Sequence, residues 1–313
     1  PDTEPAVDAG VAPPVEPPLR LRKALARSVN RAATWAIGEL GPEQVVGWGR
    51  ALGIRSKLGA TDSLALGAYE VSPRELAEAY TTFAAEGMHR PPVLITRIVG
   101  PDGKEVALAE RPPARRVLEP AEAYVVTSLL TSVVQEGTGR RARALKRSIA
   151  GKTGTSNDAR DAWFAGYSTD IVCVVWTGYD DAVPLGRRET GATAALPAFV
   201  DFMQEAHRGR DAQRFNMPDG IARVAIDPFS GLLAYEDQPD AIQEVFLEGT
   251  QPIDMAEPPD AGVDGAIDEV DGDAAVNPYD LFDPPERPDE PSGAGGQLPI
   301  LPADTPSSLT PTL

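Results

Sequence analysis

The chain has 313 residues, an apolar content of 42% and a formal net charge of −18. Most of that charge lies after residue 250, where 14 Asp and Glu accompany a single Arg, so residues 1–250 carry a net charge of only −5. Nucleic acid is therefore excluded as an expected partner, because neutralising phosphates needs a basic face. One cysteine and two histidines also exclude an internal disulfide and a Cys/His zinc set, so no metal site is expected.

The two ends of the sequence differ in composition from its middle. Residues 1–18 are rich in Pro and Ala without periodicity, which predicts a linker. Residues 251–313 hold 12 prolines, many acids and few large apolar side chains, which predicts a disordered acidic tail. Residues 19–250 are then the predicted folded domain. The chain begins with Pro and has no apolar run of about 18 residues, so we expect a piece of a longer protein without a membrane span of its own.

The first half of the folded region is predicted to be mainly helical. Caps and apolar spacing predict helices at 20–40, with a break near Ser28, and at 42–52, 73–86 and 120–135. The helix at 73–86 has the strongest signals, since Ser72 and Glu75 can form a capping box and Gly87 follows its end. Residues 93–99 and 105–108 predict a hairpin around Pro-Asp-Gly.

The second half is predicted to carry a sheet. SIAGKTGTS, DAWFAGYS and IVCVVWTGY follow one another with short connections and should pair antiparallel. IVCVVW lacks polar alternation, which indicates a strand covered on both faces. A helix at 192–207 and a hairpin of 222–227 with 232–236 follow. Together these elements predict an α/β (α+β) fold in which helices flank an antiparallel sheet.

The stretch Lys-Thr-Gly-Thr at residues 152–155 places an ammonium and two hydroxyls on a predicted edge strand. Free N–H groups of an edge strand can bind a carbonyl or a developing oxyanion, and Gly154 has no Cβ to keep a ligand away. Lys152 can hold a carboxylate or lower the pKa of a neighbouring hydroxyl. The alternative is a solvated strand end, because three residues alone are a weak motif.

The surrounding sequence resembles a known family. AGKTGTSNDARDAWFAGY is similar to the K-T-G block of penicillin-binding protein transpeptidase domains, a group of serine acyltransferases with S-x-x-K, S-x-N and K-T-G motifs. Four other stretches resemble the class A, bifunctional members in the expected order: LRKALARSVNRAA, SLALGAYEVSPRELAEAYTTFAAEG, VVQEGTGRRA and VVWTGYDD. The resemblance covers roughly residues 20–250. It implies a β-lactamase/DD-peptidase-like transpeptidase fold that is incomplete at its N-terminus.

The same resemblance implies a function. D-alanyl-D-alanine stem peptides of peptidoglycan would donate an acyl group to a second stem amine through a serine ester, without a cofactor. β-Lactam antibiotics would mimic the donor. The expected location is the extracytoplasmic face of a bacterial inner membrane, in the periplasm, with the membrane anchor and a glycosyltransferase domain upstream of this chain.

Two matching residues near the N-terminus acquire catalytic roles from the resemblance. Ser28, in the S-x-N position, would relay a proton toward the leaving amine while hydrogen-bonded to Lys152. Asn30 would bind the amide carbonyl of the substrate and steady the nearby lysine of the first motif. On the residues alone, Ser28 and Asn30 could instead be caps in a break between helices.

The remaining matches fall in the third motif and form the predicted substrate-binding set. The Thr155 N–H would donate to the oxyanion, and its hydroxyl would anchor a carboxylate. Thr153 would be placed by packing or by a local hydrogen bond. Gly154 would allow close approach, and Ser156 would line the cleft floor or cap the end of the strand.

The nucleophile of this chemistry is not found in the sequence. S-x-x-K requires a serine three residues before a lysine, but the five lysines are preceded at that distance by Arg20, Ile54, Pro101, Arg143 and Ile149. We therefore expect the nucleophile upstream of this chain and no acylation of the chain by itself. The alternatives are a non-catalytic cell-wall interaction module and a D,D-carboxypeptidase or β-lactamase-like hydrolase.

Two further patterns have simpler interpretations. The basic run GRRARALKR at 139–147 is predicted to be a solvated loop rather than a rim that attracts anions. Aromatic residues along adjacent strands are predicted to be core and cross-strand pairs. Cys173 is expected to be a small buried apolar residue.

Overall fold

The computed structural model describes residues 19–258, so the predicted linker and the part of the predicted tail beyond residue 258 lie outside the described residues. The described helices are Leu21–Arg27 (α1), Asn30–Leu40 (α2), Pro42–Ala51 (α3), Pro73–Ala84 (α4), Pro120–Gln135 (α5) and Leu196–Ala206 (α6). The described strands are Met88–His89 (β1), Arg115–Arg116 (β2), Ala150–Thr155 (β3), Asp161–Tyr167 (β4), Val172–Gly178 (β5), Ile221–Ile226 (β6) and Ile242–Leu247 (β7). None of these helices is both long and apolar enough to cross a bilayer.

The central sheet has the strand order β3-β4-β5, with both pairs antiparallel. Helices α4 and α5 pack on one side of it and α6 packs on the other, which confirms the predicted sheet between helical layers. On the α6 side, Phe164 and Phe199 are fully buried with ring centroids 4.5 Å apart. On the α5 side, Tyr167 is buried and its hydroxyl lies 2.8 Å from that of Thr127. These two cores fix the sheet that carries the candidate site.

The predicted helix breaks and strand pairs are largely confirmed. The capping box of α4 forms, because the Ser72 hydroxyl accepts from the Glu75 N–H and the Glu75 carboxylate accepts from the Ser72 N–H. Trp163 and Trp176 are opposite each other in β4 and β5, as predicted for cross-strand aromatics. Cys173 is only half-buried, and burial raises its pKa to about 11.

The prediction that residues 93–99 and 105–108 form two paired strands is wrong. Only one bridge forms there, between Val99 and Glu105, and β1 pairs with β2 instead. The turn itself is present, since Gly100 donates its N–H to the Lys104 carbonyl. The apolar side chains of this segment are exposed, so no buried face stabilises longer strands.

The prediction that residues 222–227 have residues 232–236 as their partner strand is wrong. β6 pairs with β7. Residues 232–236 pair with β6 through one bridge, from Leu233 to Ile226, and Leu233 also bridges Met255. The predicted turn does form, because the Asp227 carboxylate accepts N–H bonds from the residues two and three positions later. The strand β7 is held in place by Glu244, which is bound by Arg20 and Arg22 of the α1 region.

The chain around residue 250 stays close to the last sheet. Leu233 donates its N–H to the Asp254 carbonyl, and Ala256 donates its N–H to the Leu233 carbonyl. The first residues of the predicted tail, 251–258, therefore contact the domain. The domain boundaries at 18 and 250 remain predictions.

Candidate active site

Ser28 lies at the junction of α1 and α2 in an uncommon backbone conformation. It is the C-cap of α1 with φ 57° and ψ 46°, in the left-handed region that costs about 1 kcal/mol or more for a residue other than Gly. Its N–H bonds to the Ala24 and Leu25 carbonyls, so it ends α1 rather than capping the start of α2. The Ser28 side chain is therefore free of a capping role and lies on the surface facing β3.

Lys152 connects this junction to the sheet. Its Nζ donates to the Ser28 Oγ at 2.7 Å and to the Thr153 carbonyl at 2.9 Å. No carboxylate forms an ion pair with Lys152 among residues 19–258. Burial lowers the Lys152 pKa from 10.5 to about 8. An amine with such a pKa exchanges protons readily near neutral pH, as acid–base chemistry requires.

The loop after α5 holds the two sides of the site together. Thr138 donates its N–H to the Ala26 carbonyl at 3.1 Å, which fixes the end of α1. The Thr138 and Thr153 hydroxyl oxygens are 2.7 Å apart, which fixes the loop to β3. A Cβ on Gly137 would lie 2.2 Å from the Ala26 carbonyl oxygen, so only glycine permits this close approach. Thr153 thus has the local hydrogen bond that the sequence predicted, and Thr138 is a positioning residue that spacing alone did not identify.

The outer edge of β3 presents free peptide groups. Ser156 donates its N–H to the carbonyl of Asp161, the residue directly opposite it in β4. Because hydrogen-bonded residues alternate along an antiparallel strand, the even-numbered residues of β3 are the ones whose N–H and carbonyl groups bond to β4. The N–H and carbonyl groups of Thr153 and Thr155 consequently point away from β4. The Lys152 contact to the Thr153 carbonyl agrees with this direction. The Thr155 N–H is therefore available to a ligand carbonyl at this edge.

The other residues of the third motif have identifiable structural roles. The Thr155 hydroxyl accepts from the Gly191 N–H at 3.0 Å, which leaves its own proton to donate. A Cβ on Gly154 would lie 3.1 Å from the Trp163 Cβ, so a side chain here would crowd the neighbouring strand. Ser156 accepts from the Asp161 N–H at 2.8 Å and closes the loop between β3 and β4. Ligand contacts of Gly154 and Ser156 remain predictions.

Asn30 is the first residue of α2 and is exposed. Its carbonyl accepts from the Thr34 hydroxyl at 3.1 Å. In the part of the chain that the structure describes, no hydrogen bond joins the Asn30 side chain to Lys152. The structure therefore brings Ser28, Lys152, Thr153 and Thr155 together, and it places Asn30 two residues from Ser28. The contacts of Asn30 with a substrate carbonyl and with the lysine of the first motif remain predictions. No cluster of three His, Cys, Asp or Glu residues within residues 19–258 could hold a metal ion.

We expect Lys152→Met to stabilise the fold at neutral pH. The folded chain carries a half-buried ammonium below pH 8, whereas the unfolded chain keeps its lysine protonated up to about 10.5. The unfolded state thus binds more protons between these values, so the stability of the unsubstituted chain rises with pH there. Urea unfolding at pH 7 should show a gain of about 1 to 3 kcal/mol that shrinks as the pH approaches 10. A gain that did not change with pH would contradict the burial of the charge.

We also expect Ser28→Gly to be more stable than Ser28→Ala by about 1 kcal/mol, because only glycine adopts a positive φ without steric cost. Both variants remove the hydroxyl from Lys152, so the comparison isolates the backbone. Urea unfolding of the two variants measures the difference. Equal stability, or greater stability of the alanine variant, would show that the backbone of Ser28 is not held in the left-handed region.

Comparison with known proteins identifies the family of the chain. Residues 11–204 match the family profile of the penicillin-binding protein transpeptidase domain. The chain belongs to this family. Residues 217–257 match a second profile, the C-terminal domain of penicillin-binding protein 1A.

Relatives of the transpeptidase family extend over most of the chain. Penicillin-binding protein 1A of Pseudomonas aeruginosa is 34% identical over 85% of this chain, and that of Aquifex aeolicus is 40% identical over 75%. The chain spans 38% and 32% of the lengths of these two proteins. The crystal structure of penicillin-binding protein 1A from Haemophilus influenzae superposes with a TM-score of 0.70 at 29% identity, covering 76% of this chain and 41% of that one. PonA1 of Mycobacterium tuberculosis, in complex with penicillin V, superposes with a TM-score of 0.54 at 24% identity and shares the fold.

Proposed function

We propose that this chain forms one side of the active site of a D,D-transpeptidase that cross-links peptidoglycan. The observation that carries the proposal is the 2.7 Å hydrogen bond from Lys152 to Ser28, beside the free N–H of Thr155 at the edge of β3. It joins a proton relay to an oxyanion donor, which are two of the three parts that acyl transfer needs. The third part is a nucleophile.

The donor peptide would add to the outer edge of β3 as an extra strand. Its scissile carbonyl oxygen would accept a hydrogen bond from the Thr155 N–H, and its terminal carboxylate one from the Thr155 hydroxyl. Asn30 would bind a carbonyl of the same peptide. These contacts would orient the carbonyl carbon toward the nucleophile, and the N–H would become a stronger partner as negative charge develops on the oxygen.

The proton relay would run from Lys152 through Ser28. A serine hydroxyl attacks the carbonyl carbon while its proton passes to the lysine of the same S-x-x-K motif, and the oxyanion is held by Thr155. As the C–N bond breaks, the Ser28 hydroxyl donates its proton to the leaving nitrogen and takes another from Lys152. The acceptor amine then attacks the serine ester and its proton returns through Ser28 to Lys152. The serine oxygen takes its own proton back from the lysine of its motif as it leaves, and the new amide is formed.

We propose that the attacking serine lies outside the 313 residues, since no lysine here has a serine three residues before it. β-Lactams would bind at the same edge and acylate the same serine, and the site would work on the extracytoplasmic face of the membrane in the periplasm. The names of the relatives support penicillin binding as a property of the family.

We expect the 313-residue chain to form no covalent adduct with a labelled penicillin, because the acylated oxygen is missing. The measurement is intact mass spectrometry after incubation with the drug, with the complete gene product as a positive control. A stoichiometric adduct on the shorter chain would place the nucleophile within these residues and overturn the assignment.

The function itself is tested with the complete gene product, a stem pentapeptide donor and an amine acceptor. We expect the cross-linked amide as the main product. Free tetrapeptide with no cross-linked product would identify a D,D-carboxypeptidase, and no turnover of either kind would favour a non-catalytic cell-wall module.

A further inference from the structure

The basic run that the sequence analysis predicted to be a solvated loop forms one wall of a defined cleft. Residues 140–145 form a 3-10 helix in which Ala142 is fully buried and Leu145 packs against the core around Phe164. These apolar contacts hold the segment rigidly against the domain. The backbone that carries the charged residues on the outer side of this segment is therefore held in place.

Four cations line this cleft of about 380 Å³, together with neutral residues of α5 and of the segment after α6. Three of the cations come from the basic run, and Arg214 comes from a segment 67 residues further along. The full lining is Thr131, Gln135, Arg143, Lys146, Arg147, Ser148, Ala212, Gln213 and Arg214. No carboxylate is among them.

The cations of the cleft are not neutralised by the protein. Among residues 19–258, none of the ion pairs includes Arg143, Lys146, Arg147 or Arg214. The hydrogen bond of the Arg147 guanidinium goes to the Arg210 carbonyl at 3.0 Å, and it ties the two walls of the cleft together. Four like charges around one cleft repel each other, so a bound anion would stabilise the arrangement.

We propose that this cleft is a binding site for a ligand that carries two or more phosphate groups. Guanidinium groups present paired N–H donors that match the oxygens of a phosphate, and four cations match the compact multiple charge of a diphosphate better than a single carboxylate. The Ser148 hydroxyl and the amide groups of Gln135 and Gln213 offer neutral donors beside them.

The proposed site is separate from the candidate active site and does not depend on the proposed acyl transfer. Ser148 precedes β3, and Lys152 follows four residues later, which corresponds to about 13 Å along an extended chain. A ligand in the cleft would therefore leave the Lys152–Ser28 contact undisturbed. Activity toward stem peptides and anion binding can be measured independently.

The test is calorimetric titration of the full 313-residue chain with inorganic pyrophosphate at low ionic strength. We expect saturable binding that weakens about tenfold or more when the cations of the cleft are neutralised in the triple variant Arg143→Gln, Lys146→Gln, Arg214→Gln. The control has the same net charge but removes exposed cations elsewhere: Arg90→Gln, Lys104→Gln, Arg187→Gln. It should bind pyrophosphate as the unsubstituted chain does, and circular dichroism should show that all three proteins are folded.

Two sources of the phosphate groups are distinguished by a second titrant, vesicles that contain cardiolipin, a lipid whose headgroup carries two phosphates. Binding of pyrophosphate alone supports a soluble diphosphate, and cleft-dependent binding of both supports a lipid headgroup. The proposal is overturned if pyrophosphate does not bind, if the control loses as much affinity as the cleft variant, or if polyglutamate of equal charge binds as tightly as pyrophosphate.

Discussion

Lys152→Met should lower the rate of acyl transfer by the complete gene product about a thousandfold, the usual scale for losing a positioned proton donor or acceptor. In the proposed relay, Lys152 supplies the proton that Ser28 passes to the leaving nitrogen. Methionine has a similar length but no proton to give. The measurement is single-turnover acylation with a labelled penicillin, followed by product formation from a stem peptide. The same variant should be more stable than the unsubstituted protein at pH 7, which separates the loss of activity from unfolding.

Lys104→Met is the matched control for this experiment. Lys104 is exposed and pairs with Asp102 at 3.7 Å in the turn after β1, away from the sheet that carries the site. It should acylate at the rate of the unsubstituted protein. Acylation by Lys152→Met within threefold of that rate would contradict the relay, and Lys152 would then have only a structural role.

Glu78→Ala should lower the free energy of unfolding by about 3 kcal/mol, the largest stability effect we expect from a single substitution. The Glu78 side chain in α4 is fully buried. It accepts from both terminal nitrogens of Arg55 at 2.9 Å and lies 3.0 Å from Nε2 of the buried His89. Alanine would leave the His89 ring without its partner and would release the segment that Arg55 anchors to α4.

Glu78→Gln is the informative companion, because it keeps the volume and part of the hydrogen bonding while removing the charge. It should lose less stability than Glu78→Ala, and Arg74→Ala, on the exposed first turn of α4, should lose little. Urea unfolding of the three variants gives the comparison. A loss of less than about 1 kcal/mol in Glu78→Ala would show that the cluster contributes little to the fold.

Local signals in the sequence were enough to predict the elements with strong caps or strong alternation. Ser72 and Glu75 fix the start of α4 through contacts within four residues, which a local sequence window contains. The three strands from residue 150 to 178 have short connections, which leave antiparallel pairing as the simple arrangement.

The errors came from interactions that no local window contains. β6 pairs with β7, which lies beyond the predicted turn. Glu244 of β7 is bound by Arg22, more than 200 residues earlier, and Arg22 in turn donates to the Ser128 carbonyl in α5. At 93–108 the apolar pattern was real, but the side chains have no layer to pack against and the strands do not extend.

In the candidate site too, the sequence indicated the residue types but not the long-range contact between them. The residue types of Lys152 and Thr155 indicated an edge with oxyanion and carboxylate donors, but only the resemblance linked them to Ser28. The 124 residues between Ser28 and Lys152 hide their contact from any spacing argument. Thr138 and Gly191 were not predicted as site residues. The Thr138 hydroxyl contacts Thr153 and the Gly191 N–H contacts Thr155, so both hold motif residues in place.

The most direct test of the site is a crystal structure of the complete gene product after acylation by a penicillin. We expect the acyl carbonyl oxygen to lie within hydrogen-bond distance of the Thr155 N–H, with the Ser28 hydroxyl and the Lys152 ammonium on the side of the leaving nitrogen. An acyl group bound away from the outer edge of β3, or one whose oxygen is held by other groups while Ser28 and Lys152 stay remote, would contradict it.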